Sequence, residues 1–198
     1  MILLVLISVG VGIILGTLDL GNSWIFSKGV DIFLALLIFF VGWEMGSDVE
    51  RVQRVLKKGY KLLFIPFFSI LGSIVAGFII GLFLKIGPKG SMIVASGMGW
   101  YSFTGSFLTS QGFETLGTVA FISNILREIL TIFFAPLLAK IDALAPVVSG
   151  GATSMDSTLG VIRLVSGKDV EPISFLNGFI ITLMIPIVSP LLVEIFLK

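Results

Sequence analysis

The sequence contains no cysteine and no histidine, and only 13% of its residues are charged. Without thiols there is neither a disulfide framework nor a thiolate metal site. Without imidazole the chain lacks the commonest metal ligand and the usual acid–base group near neutral pH. A His-Glu-x-x-His metal motif is therefore impossible, and Ser154 and Asp156 stand close in sequence without a base of the usual kind. These absences argue against an enzyme and against any cofactor or metal. The charges that are present nearly balance, at net +1, so composition points to no nucleic-acid partner. A soluble domain carries about 25% charged residues, whereas this chain is 56% hydrophobic with a mean hydropathy of +1.12. It reads as an all-α polytopic membrane protein forming a single transmembrane domain over residues 1–198.

Seven apolar stretches follow one another, at 1–18, 32–45, 62–84, 91–109, 117–138, 143–165 and 173–197. Eighteen uncharged residues just cross a hydrocarbon core of about 30 Å, and 1–18 lacks the basic start and small-residue cleavage site of a signal peptide. It is expected to remain as the first span. Trp24 and Trp43 sit near span ends as interfacial anchors, and Glu44 is expected beside Trp43 at the headgroup level. Residues 47–61 then hold Arg51, Arg54, Lys57, Lys58 and Lys61. This basic loop is expected in the cytoplasm, together with the N-terminus one hairpin earlier.

Two of the seven stretches are poor lipid-facing helices. Residues 95–106 are dense in Gly, Ser and Thr around Trp100 and Tyr101, and residues 150–159 gather small hydroxyl residues around Asp156. Glycine lets the chain leave helical geometry, and hydroxyls satisfy the backbone groups so released. Irregular backbone at membrane depth survives only inside protein or beside a water-filled cavity. Paired interruptions of this kind point to a transport site. The intervening span carries Asn124, Arg127 and Glu128 midway, and a centred charge costs on the order of 2.5–3.5 kcal/mol even on the lenient insertion scale. Asn124 and Glu128 share a helix face and are expected to line a cavity. Arg127, about 100° round the helix, is expected to form a structural ion pair with a carboxylate.

Two topologies fit. If both interrupted stretches are re-entrant hairpins, five spans cross fully; if both cross, seven do. The charge distribution favours five spans plus two hairpins. The chain then divides into residues 1–61 (two spans and the basic loop), 62–109 (a span and a hairpin) and 117–197 (a span, a hairpin and the last span). The two span–hairpin pairs would form an inverted repeat with the site where the tips meet. A cationic substrate there would find anions at Asp156 and Glu128, carbonyls and N–H groups around Gly97, Ser102, Gly151, Thr153 and Ser154, and aromatic faces at Trp100 and Tyr101. Without histidine, proton coupling must run through carboxylates. The alternatives from the residues themselves are a cation channel or ion exchanger using the same acids.

The blocks Ala95-Ser96-Gly97-Met98-Gly99-Trp100-Tyr101-Ser102, Asn124 with Arg127-Glu128, and Gly150-Gly151-Ala152-Thr153-Ser154-Met155-Asp156 resemble the LysO-type lysine exporters of prokaryotic inner membranes. Phe40-Val41-Gly42 ahead of the basic loop matches as well. The resemblance implies export of L-lysine and of toxic lysine analogues across the inner membrane, driven by an ion gradient of protons or sodium. It ties export to intramembrane acids, and Asp156 is the matching position. Family members carry further N-terminal spans, so the chain is expected to act alone, as a homodimer, or with a small membrane partner subunit.

Overall fold

Residues 59–198 are described continuously in the computed structural model, with isolated positions before them. Apart from isolated helical positions such as Val11, Phe33, Phe39 and Trp43, the expected spans at 1–18 and 32–45 lie outside the described residues, as do Glu44 and the side chains of Arg51, Arg54, Lys57, Lys58 and Lys61. All regular structure among the described residues is helical. A 3-10 turn, Tyr60–Leu63, leads into α1 (Phe64–Gly81), followed by α2 (Gly87–Ala95), α3 (Tyr101–Ser110) and α4 (Glu114–Ile141). Then come α5 (Ala145–Gly150), a 3-10 turn at Gly151–Met155, α6 (Leu159–Ser166) and α7 (Glu171–Leu197). Pro88, Pro146 and Pro172 stand in the first turns of α2, α5 and α7, where the missing N–H costs nothing and the fixed φ favours helix. Gly167, at φ +91°, closes α6.

Helices α1, α4 and α7 are long and apolar enough to cross a membrane. Phe67 and Phe78 on α1, Phe133 and Leu137 on α4, and Ile187 and Leu191 on α7 are exposed, as lipid-facing residues should be. Inside, small residues set the spacing. A Cβ on Gly77 would lie 2.7 Å from the Ala95 Cβ and 2.8 Å from the Ser91 carbonyl, so α1 and α2 pack backbone to backbone. Gly105 and Gly117 bring α3 and α4 together in the same way.

Helices α2 and α3 form a hairpin rather than one broken rod. A Cβ on Gly90, near the start of α2, would lie 3.1 Å from Leu116 in the first turn of α4, into which α3 leads. Both ends also sit at the C-terminus of α7. There Lys89 lies 5.9 Å from the Phe196 ring and Lys198 donates to Gln111 at 3.2 Å. Helices α5 and α6 form a second hairpin opening to the opposite end. Its arms contribute Val147 and Ile162 to a cluster with Val170, Ile65 and Leu144, at the starts of α7 and α1. Arg163 pairs with Glu171 across that end at 3.1 Å. The hairpin tips meet midway along α7, where Met98, Phe103, Ala152, Ile181 and Ile185 are buried together.

Candidate functional site

Each tip is held by an asparagine from the long helix that follows it. In the first, the Asn124 amide donates to the Val94 carbonyl at 3.1 Å and to Ala120 at 2.8 Å. Its Oδ1 accepts the Gly99 N–H at 2.7 Å. Gly97 is packed against this amide, with room for no side chain: a Cβ there would lie 2.6 Å from Asn124 Nδ2 and 2.7 Å from Thr104 Oγ1. In the second tip, Asn177 Nδ2 lies 3.2 Å from the Val147 carbonyl, 3.3 Å from Gly151 O and 3.0 Å from Ser154 Oγ. Ser154 and Ser174 bond each other's carbonyls at 2.9 and 2.7 Å, and Thr153 closes its own turn on Gly150 at 3.0 Å.

The two clamps have the same spacing. Asn124 follows Val94 by 30 residues, and Asn177 follows Val147 by 30. Both tips begin with Val-x-Ser-Gly, at Val94 and at Val147, and in both the next residue has positive φ, +45° at Met98 and +63° at Gly151. Reading the sequence alone did not single out Asn177 or this repeat. The detectable signal was the Val-x-Ser-Gly pair with an asparagine at one common interval. The tips are tied to each other by the Ala152 N–H, which donates to the Met98 carbonyl at 2.9 Å.

Asp156 follows directly on the second tip and is exposed. Its carboxylate accepts the Ser157 N–H and the Ser157 hydroxyl. Glu128 is half-buried on α4, and Glu128 and Asp156 both lie within electrostatic reach of the Tyr101 hydroxyl. The Tyr101 ring meets Phe121 edge-on at 5.6 Å. The structure thus brings Tyr101, Glu128 and Asp156 to one neighbourhood. Trp100 instead stacks on Phe103 at 5.0 Å, and Ser102 is half-buried one residue beyond Tyr101. Asn124, Gly97, Gly151, Thr153 and Ser154 are buried and engaged in shaping the tips.

Arg127 departs from the ion pair expected of it. Its Nε donates to the Ser149 carbonyl at 2.8 Å, Nη2 to Val148 O at 3.1 Å and Nη1 to Ser73 Oγ at 2.9 Å. No carboxylate pairs with it among the described residues. The physical reason is local: α5 ends here, so its last carbonyls lack helical partners and attract a cation. Beside this guanidinium a cleft of about 530 Å³ opens between α1, α2, α4 and α5. No cluster of three or more acidic, histidine or cysteine side chains suited to a metal occurs among the described residues.

A family model described as "Lysine exporter LysO" matches residues 6–193. The chain belongs to the LysO family. Among its LysO relatives, the Escherichia coli protein named lysine exporter LysO is 30% identical over 154 residues, covering 78% of this chain and 51% of that protein. A Haemophilus influenzae relative, provisionally named a lysine exporter, is 31% identical over 179 residues, covering 89% of this chain and 90% of its own length. The chain thus spans about half the length of the Escherichia coli LysO. No solved structure matches it. Family membership and three apolar helices make this a multi-pass membrane protein.

Proposed function

We propose that this chain is a secondary transporter that exports L-lysine across the inner membrane, with the acidic neighbourhood at the hairpin tips as its cation site. The observation that carries the reading is the meeting of two interrupted hairpins at mid-depth beside Glu128 and Asp156, in a chain whose LysO relatives are named lysine exporters. A lysine ammonium leaving water needs a compensating anion, and these two carboxylates supply it. Export is driven by an ion gradient and extends to cationic lysine analogues. Labelled lysine should accumulate in inverted vesicles containing the chain, and a pH gradient should change the rate if the coupling ion is the proton. Ion flux without lysine movement would instead indicate a channel or exchanger. Activity appearing only with an added N-terminal partner would indicate a subunit of a two-component exporter.

We read the two span–hairpin units as an inverted repeat with both hairpins re-entrant. The equal 30-residue interval from valine to clamping asparagine, and the opening of the hairpins to opposite ends, support this. With the basic loop in the cytoplasm, Lys140, Arg163 and Lys168 share its side while Lys85 and Lys89 are external. Single cysteines replacing Lys168 and Lys85 in this cysteine-free chain should react with impermeant reagents from opposite faces. Labelling of both from one face would end this topology.

A further inference from the structure

We propose that Arg127 receives the carboxylate of the transported amino acid, in the cleft between α1, α2, α4 and α5. The inference rests on the lysine reading and deepens it. Arg127 stands midway along the 28-residue α4, where a cation is costly unless something balances it. Its three partners, two carbonyls and a serine hydroxyl, are all neutral. A guanidinium has five N–H donors. Three are used here, one on each nitrogen, which leaves one on Nη1 and one on Nη2. With Nε and Nη2 turned to the α5 carbonyls, a carboxylate would be received end-on by the fork of these two terminal nitrogens.

The space beside this fork suits such a ligand. Arg127 is the one ionisable side chain in the described lining of the 530 Å³ cleft, which also presents the polar residues Ser73, Ser123 and Ser149. Arg127 itself links this cleft to the junction of the hairpins, because a Cβ on Gly151 would lie 3.1 Å from its Nη2. The next residue, Glu128, turns about 100° away toward Tyr101 and its acidic neighbourhood. Successive positions on α4 therefore offer a cation and an anion at the level of the tips. A lysine carries charges of both signs, whereas a diamine carries positive charge alone.

The decisive comparison is between L-lysine and 1,5-diaminopentane, which is lysine without its carboxylate, bound to the purified full chain. The wild-type protein should prefer lysine, and Arg127→Gln should weaken lysine binding on the order of 100-fold, as truncation of a desolvated charge partner does. Diamine affinity should change by less than about threefold, so the preference disappears. Arg127→Lys should recover part of it, because it restores charge without the fork. A folded Arg127→Gln protein that keeps the wild-type preference would overturn the assignment. So would equal affinity of the wild-type protein for both ligands, a result that stands even if the variants fail to fold. A wild-type chain that binds no lysine at all would instead overturn the export reading beneath it.

Discussion

Asp156→Asn is expected to abolish lysine transport while leaving the protein folded. In the described structure this carboxylate is exposed, and it accepts hydrogen bonds from the Ser157 N–H and hydroxyl and from its own backbone N–H. An asparagine keeps the shape and one acceptor oxygen, so the turn after Met155 loses little. Substrate loses far more, because an amide dipole does not offset the cost of dehydrating an ammonium. Once bound lysine covers Asp156 and excludes water from the pair, removing one partner of such a buried charge pair costs about 2–5 kcal/mol, enough to lower affinity by roughly 30-fold to several thousand-fold. Calorimetry with lysine on purified protein checks binding, and vesicle uptake checks transport. Undiminished lysine affinity in the folded variant would remove Asp156 from the site. Glu128→Gln should also impair transport, yet leave binding measurable, if Glu128 carries the coupling proton.

Much of this architecture could be read from residue types. Gly, Ser and Thr density at 95–106 and 150–159 marked two interruptions, and both coincide with breaks in the helices, after Ala95 and at Gly151–Met155. The physical cause is shared: glycine releases the backbone, and hydroxyls close turns such as that of Thr153 on Gly150. What residue types could not convey was the partner of each polar side chain. Asn124 reads as cavity lining because it shares a face with Glu128, and it does border the cleft beside Arg127, but its hydrogen-bond partners were not legible. In the structure both its amide hydrogens go to carbonyls, at Val94 and Ala120. Arg127 demanded an acceptor, and sequence suggested a carboxylate. The free carbonyls at the end of α5 exist only once the chain has folded back against α4. Asn177 was hidden in an apolar span, although it does for the second tip what Asn124 does for the first.

The matching clamps also bear on how the tips move. Each asparagine fixes its own hairpin to the helix that follows, whereas the backbone bond from Ala152 to Met98 runs between hairpins. Each hairpin is thus coupled to its clamping helix, and the Ala152–Met98 bond couples the two hairpins directly to each other. A change confined to that junction tests whether the contact is structural.

Gly151→Ala is expected to cost most of the folded protein. Gly151 has φ +63° and ψ −124°, a conformation that an L side chain adopts only under strain of about 1–3 kcal/mol. The added Cβ would also collide with the Met98 carbonyl, which is backbone and already accepts the Ala152 N–H. Relief requires the tips to separate, breaking that bond, and overpacking of this kind adds about 1–3 kcal/mol. Together these effects come to roughly 2–6 kcal/mol, comparable with the whole stability of many domains. Gly160→Ala provides the contrast, because its Cβ would meet nothing within 4 Å. It lies within α6 (Leu159–Ser166), where alanine is the better helix former by about 0.5–1 kcal/mol. Thermal unfolding of both variants in detergent should show a large fall in Tm, or no recoverable protein, for Gly151→Ala and little change for Gly160→Ala. A Gly151→Ala protein with wild-type Tm would mean that the two tips do not bear on one another as tightly as this junction requires.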